Sequence, residues 1–428
     1  MEKRQDWDWT PGKREIGDFP QWPGRYECIH ETCVSLDGEK IAAIVKTGEE
    51  QWSVCVNGRV WESVFDKIWN LRFLPDSRAA ALVSDTAMWT LAIDGTAWEN
   101  TYEFVWSPVF GRDNSHVTVA AQSGLRYFAV TDDVAWENDF NALTNLTCSR
   151  DGKTTAAVVQ KTGFSEGDID IFQEGCFTVA VNGTAWDASY INAWQLDFSE
   201  DGKHVAAEVR TGLYDYTIAV DGRPWDKLFS CVWAPRFHPE DNSVTAPVRV
   251  AGGWSLARDS ELIWDRRYVQ LWQQMYSPDG KSIAAIVAPE YGKWTIAEND
   301  RPWGIRFDEL VTDAVYSPTG KNIACVGKSK GKWFIAVDDK IWNFPCEMAW
   351  KPVFSPQGDH VAAKVEKNGS YIILIDGQPL DMVFADAWQP VFSPDGSRLL
   401  VKGVQKNTGG QYCRHVIEIN EWLRKGAA

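Results

Sequence analysis

Phe354-Ser-Pro-Gln-Gly358, His360-Val-Ala-Ala363, Tyr371-Ile-Ile-Leu-Ile-Asp-Gly377, Leu380-Asp-Met-Val-Phe384 and Trp388 form one unit, and Phe392-Ser-Pro-Asp-Gly396 opens the next. The period is about 38 to 40 residues, and it runs through the chain. Each unit has four pieces. The first ends in a tight turn, as in Phe198-Ser-Glu-Asp-Gly202, Tyr276-Ser-Pro-Asp-Gly280 and Tyr316-Ser-Pro-Thr-Gly320, where Gly takes the positive φ. The second is small and apolar, as in Ile41-Ala-Ala-Ile-Val45 and Ile283-Ala-Ala-Ile-Val287. The third alternates, as in Trp52-Ser-Val-Cys-Val56 and Tyr216-Thr-Ile-Ala-Val220, and ends in Asn57-Gly58 or Asp221-Gly222, a strong hairpin signal. The fourth begins Trp-(Asp/Glu), as in Trp61-Glu62, Trp98-Glu99 and Trp136-Glu137.

No segment keeps a 3.6-residue period, so the chain reads as all-β. Opening turns recur ten times, from Asp37-Gly38 to Asp395-Gly396, with one at Asp113-Asn114. Four short antiparallel strands repeated without helices predict a β-propeller of about ten WD40/TolB-like blades. The last unit supplies three pieces, ending near Val416-Ile-Glu-Ile-Asn420, and an orphan fourth piece, Trp22 to Ile29, precedes the first turn. That N-terminal piece is expected to complete the C-terminal blade and close the ring, hiding both sheet edges. The expected organisation is an arm over residues 1–21, one propeller over 22–422 and a tail over 423–428. Two five-bladed rings are the alternative.

Twenty-two of the 24 tryptophans fall at or near repeat positions. One ladder follows the hairpin turn: Trp22, Trp61, Trp98, Trp136, Trp186, Trp225, Trp264, Trp303 and Trp342, broken at Leu380. A second lies eight residues on, at Trp69, Trp106, Trp194, Trp233, Trp272, Trp350 and Trp388. A third opens the alternating strand, at Trp52, Trp89, Trp254, Trp294 and Trp333. Equivalent spacing in every blade is what packing demands, so these rings are expected to fill the wedges between blades rather than carry electrons.

Two features escape the repeat. Trp7 and Trp9 sit in the polar arm Asp6-Trp-Asp-Trp-Thr-Pro-Gly12, where they read as a partner anchor or as a tail folded back on its own ring. Phe164 to Cys176 is an insertion of roughly ten residues before the third strand of the fourth unit, and such loops on rigid scaffolds often bind. Candidate partner-binding residues are therefore Trp7, Trp9, Phe164, Ile169, Ile171 and Phe172.

The composition narrows the classes. A net charge of −16 argues against nucleic acid and anionic membrane surfaces as partners. No window holds the ~18 apolar residues of a membrane helix, and the start lacks a signal-peptide core, so a cytoplasmic protein is expected. Nine cysteines, odd in number and without C-x-x-C, give no haem, zinc-ribbon or ferredoxin motif. Gly163-Phe-Ser-Glu-Gly167 matches the nucleophile-elbow pattern but opens a polar insertion with no helical pattern behind it. Cys28-Ile-His30-Glu-Thr-Cys33 groups three soft ligands, but a strand puts only 28 and 30 on one face. His116, His204 and His360 recur at one repeat position, which marks them as strand-edge residues and not a catalytic set. The residues imply no catalytic group, cofactor or metal.

The (Phe/Tyr)-Ser-Pro-Asp-Gly-Lys-x-Ile-Ala-Ala pattern at Tyr276 to Ala285 resembles the WD40-like repeat of TolB-type propellers. The high Trp content, the acidic charge and the units Trp61-Glu-Ser-Val-Phe65 and Trp98-Glu-Asn-Thr-Tyr102 resemble the tryptophan-rich subunit of the Tmc transmembrane electron-transfer complex of sulfate-reducing bacteria. That resemblance implies a non-enzymatic, cytoplasmic accessory subunit or scaffold in sulfate respiration, held peripherally at the inner membrane. It implies as partners an iron–sulfur subunit of the heterodisulfide-reductase type, a cytochrome b subunit and, indirectly, a periplasmic multihaem cytochrome c. A free-standing small-molecule-binding or sensor propeller is the alternative, with a propeller hydrolase behind it.

Overall fold

The computed structural model describes residues 6–111, 116–164, 167–406 and 409–426. The opening turn at Asp113-Asn114 and the centre of the Gly163–Gly167 motif lie outside the described residues. The chain splits into two compact units, Met1–Phe73 with Met275–Ala428, and Leu74–Gln274.

The described strands form ten blades of the propeller type, each with the antiparallel order read from the repeat. In the Leu74–Gln274 unit a complete blade runs Phe104–Phe110, Val117–Ser123, Arg126–Thr131 and Val134–Ala135. Three more follow it, over 143–185, 192–224 and 236–262. The other unit holds blades over 29–60 and 310–341, and a nine-stranded sheet. That sheet is two blades joined at Tyr371↔Phe384.

The second strand of each blade is mostly small and apolar because both of its faces are covered. Val117, Val119 and Ala121 point into one cluster with Leu82, Leu91 and Tyr102, while Ala120 joins another with Phe140 and Val159. The hairpin that follows is held by one repeated clip. Asn57 at φ 48° and Gly58 at φ 87° supply the two positive φ values the turn requires. The Asn57 side chain then accepts the Ile41 N–H at 2.9 Å. Asp94, Asp132, Asn182, Asp221, Asp259, Asn299, Asp338 and Asp376 do the same for the residues opening their own second strands. The Asx residue is thus selected twice, for its conformation and for its acceptor. The opening turns use a similar device: Ser199 Oγ donates to Asp201 Oδ1 at 2.7 Å, which holds the Asp201 carboxyl down at about 2.

The closing strand differs from the expectation. Gly12–Glu15 pairs with Tyr412–Glu418, in register Gly12↔Val416 to Glu15↔Cys413, and completes the last blade as its fourth strand. The Trp22 to Ile29 piece does not. Pro20, Pro23 and Gly24 favour turns there, and Trp22–Arg25 is a single helical turn. Trp22 is fully buried, its indole N–H donating to Asp18 at 2.7 Å. The arm assigned to residues 1–21 therefore carries a blade strand, and the tail assigned to 423–428 continues the helix Ile419–Gly426.

Candidate interaction surfaces

The Trp-(Asp/Glu)-x-x-(Phe/Tyr) motif has a local cause. After the ladder Trp the chain turns back, and its aromatic pairs with the residue opening the third strand. Trp52 and Phe65 exchange both backbone hydrogen bonds at 2.8 Å. The same bridge joins Trp89 to Tyr102, Tyr127 to Phe140, Phe177 to Tyr190 and Tyr216 to Phe229. The motif behind the closer resemblance is thus what each blade needs to close.

Ladder tryptophans of the first set pack on the next blade's hairpin within each unit. A Cβ on Gly183 would meet Trp136 at 3.0 Å, and one on Gly377 would meet Trp342 at 3.2 Å. Where the hairpin carries Asp, its carboxylate caps the same turn: Asp339 accepts Gly304 and Ile305 N–H, both at 2.8 Å. Second-ladder and third-ladder rings meet inside one blade, as Trp106 on Tyr127 at 5.9 Å and Trp233 on Trp254 at 5.3 Å. The rings therefore mortar both blade seams and blade faces.

Each histidine of the repeated set clips its own hairpin. His204 Nδ1 lies 2.6 Å from Asp221 Oδ2, His360 Nδ1 lies 2.7 Å from Asp376 Oδ2, and His116 pairs with Asp132. Asn322 fills the same slot on Asp338. In the Cys28–Cys33 stretch, burial pushes the Cys33 thiol up to about 12, so it offers no ready thiolate. Among the described residues no group of three His, Cys, Asp or Glu is placed to hold a metal. Clefts of about 580 Å³ beside Trp225 and about 630 Å³ beside Trp342 are lined by these same clip and ladder residues.

Trp7 and Trp9 are not displayed as an open anchor. Trp9 is buried against Val391, Leu400 and Val416, with Trp7 packed on the same cluster. The two indoles stack at 5.9 Å. The Arg14–Asp8 pair at 3.0 Å and the buried Arg414, which donates to the Asp8 and Asp37 carbonyls, fix the arm in place. Burial of an indole on its own blade outweighs leaving it in water, so the folded-back arrangement is the one seen.

The insertion is different. Ile169–Glu174 forms one short helix, too brief for a helical period to show in sequence. Phe164 and Phe172 touch at 5.5 Å and prop it, while Ile169 and Ile171 face out. The loops at the same blade end on either side are also apolar. Leu125 is 78% exposed, Ile169 62%, Leu213 58% and Tyr214 77%. Contacts link the first two loops: Arg126 bonds Asn141, which lies against Gly163. Three consecutive blades of this unit thus present an apolar rim, edged by exposed Asp170, Glu174 and Asp215. The sequence reading found the insertion but not Leu125, Leu213 or Tyr214. An aliphatic or aromatic residue at a polar hairpin tip was the available signal.

No family model and no curated protein matches the chain. Solved structures do. One is a crystal structure of the eukaryotic initiation factor, at 13% identity, covering 80% of this chain and 93% of that one with a TM-score of 0.49. Another is the Cps50 (Swd1) β-propeller domain of Myceliophteria thermophila, at 14% identity, covering 64% and 96% with a TM-score of 0.32. A third is the Dos1 propeller, at 11% identity, covering 96% and 95% with a TM-score of 0.36.

Proposed function

We propose that this chain is a non-catalytic scaffold that holds a protein partner on the apolar rim around residues 125, 164, 169–172 and 213–214. The observation that carries the reading is the set of four side chains, Leu125, Ile169, Leu213 and Tyr214, each more than half exposed on one blade end. Large apolar side chains exposed together at one end of consecutive blades are what an interaction site would offer. The acidic residues around it favour a partner segment with an apolar stripe flanked by Lys or Arg. The finer reading is an accessory subunit of a membrane redox complex, held at the inner membrane through an iron–sulfur and a cytochrome b subunit. It rests on the resemblance of the tryptophan-rich repeat. No helix among the described residues is long and apolar enough to cross a membrane.

The test is cross-linking and affinity capture of the tagged chain from native membranes, beside an Ile169→Ser, Leu213→Ser, Tyr214→Ser variant. The scaffold reading expects subunits recovered with the wild type and depleted with the variant. Equal recovery by both rejects the rim. Recovery of partners that carry no iron–sulfur or haem group rejects the redox assignment and leaves the scaffold.

A further inference from the structure

The fourth residue of the second strand is apolar in seven blades, as at Ile44, Leu82, Val158, Ile286 and Val326. In two blades it is Lys, and each ammonium bonds a carbonyl of a neighbouring blade. Lys364 Nζ donates to the Ala387 oxygen at 3.0 Å, and Lys402 Nζ to the Leu36 oxygen at 3.0 Å. In the 192–224 blade the residue is Glu208, 7% exposed. A carboxylate cannot bond to carbonyls as an ammonium does, and buried without a donor it is costly. Desolvation accordingly holds the Glu208 carboxyl up at about 7, against an ordinary 4.5.

The charged and titratable groups around it are few. On the neighbouring blade stand Cys231, whose thiol is pushed up by burial and then by Glu208, and Arg249, whose N–H donates to the Cys231 oxygen at 2.8 Å. On its own blade stand Tyr216 and Arg210. Arg210 lies two residues along the same strand face as Glu208, within reach of a long side chain. Its guanidinium is engaged elsewhere: Nε donates to Gly212 O at 3.1 Å and Nη2 to Leu213 O at 2.7 Å, with the Tyr216 ring 5.7 Å away. Arg210 therefore ties down the loop that carries Leu213 and Tyr214.

We infer that Glu208 and Arg210 form a proton-operated latch on the rim. While Glu208 is protonated it needs no counter-ion, and Arg210 stays on the Gly212 and Leu213 carbonyls. Loss of the proton to solvent leaves a buried carboxylate with Arg210 two residues along the same strand face. The guanidinium turns to it, the two carbonyl bonds break, and the 211–215 loop is released. Partner docking would then weaken from mildly acidic to mildly alkaline pH. This regulatory consequence rests on the docking reading; the latch does not.

The test is hydrogen exchange of peptides spanning residues 211–216 in the full chain at pH 6 and pH 8, corrected for intrinsic rates. The wild type is expected to lose about tenfold in protection at pH 8. Glu208→Gln, which stays neutral, should keep its protection at both values, and Arg210→Gln should lack it at both. Equal protection in wild type and Glu208→Gln across the range overturns the latch. If the loop releases as expected while the rim variant captures partners normally, the docking reading fails and the latch stands.

Discussion

One core slot takes opposite solutions in the two units. Lys402, 3% exposed, converts a buried charge into a stitch because the Ser35 and Leu36 carbonyls converge on its ammonium. Glu208, at the same repeat position in the Leu74–Gln274 unit, has no such donors converging on it among the described residues and holds its proton up to about pH 7. Buried ionisable groups are tolerated where the surroundings supply the complementary polarity and neutralised where they do not. The slot is therefore structural in one unit and titratable in the other.

The largest effect should follow removal of the stitch. Lys402→Ala leaves the Leu36 carbonyl without its donor and opens a void, and should cost about 3 kcal/mol in denaturant unfolding. Lys402→Met keeps the volume and should cost about half as much. An equal loss in both would mean that the hydrogen bond, and not packing, accounts for the whole effect.

Glu208→Leu should do the reverse. Its folded pKa lies above the unfolded value, so wild-type stability is full below about pH 4.5 and falls as pH rises towards about 7. The variant should be more stable at pH 8, by about 2 kcal/mol, and its thermal midpoint should not decline across that window. A parallel decline in both proteins would remove Glu208 as the cause.

The other unit should tilt the opposite way, less strongly. His415 is held down at about 4, from an ordinary 6.5, by burial and by Lys13, with its Nε2 buried. The unfolded chain takes up the proton first, so stability present above pH 6.5 is lost as pH falls towards 4. His415→Phe should flatten the acid limb of the midpoint-against-pH curve without changing the alkaline one. The smallest effect belongs to the rim. Ile169→Ser with Tyr214→Ser should shift stability by less than about 0.5 kcal/mol, since neither residue is buried. A larger loss would show that these side chains pack instead of waiting for a partner.

The blade pattern was legible because it is written locally. Asn57-Gly58 and its equivalents need positive φ, and a second strand covered on both faces is mostly small and apolar. Trp22 to Ile29 was misread because its spacing matched the ladder while Pro20 and Pro23 already ruled out a paired strand. Trp9 could not be placed from sequence, since the Val391, Leu400 and Val416 surface it covers lies nearly the whole chain away. The rim was half legible. A ten-residue insertion breaks the period visibly, but Leu213 and Tyr214 sit in a loop of ordinary length. Glu208 stood in plain view within Val205-Ala-Ala-Glu-Val209. Its meaning needed the cross-blade partners of Lys364 and Lys402, which no local pattern encodes.

The pairing of Gly12–Glu15 with Tyr412–Glu418 sets an order in time. Gly12–Glu15 is synthesised some four hundred residues before the strand it docks on. Until Tyr412–Glu418 has been made, the growing chain carries an unpaired four-residue edge with two tryptophans just ahead of it, and nothing yet to receive them. Closing that contact across some four hundred residues is slow relative to forming each hairpin. Blades would then accumulate one by one, with the final seam left open to capture by another chain's arm. At high expression the characteristic failure should be an exchanged-arm oligomer built from correctly folded blades.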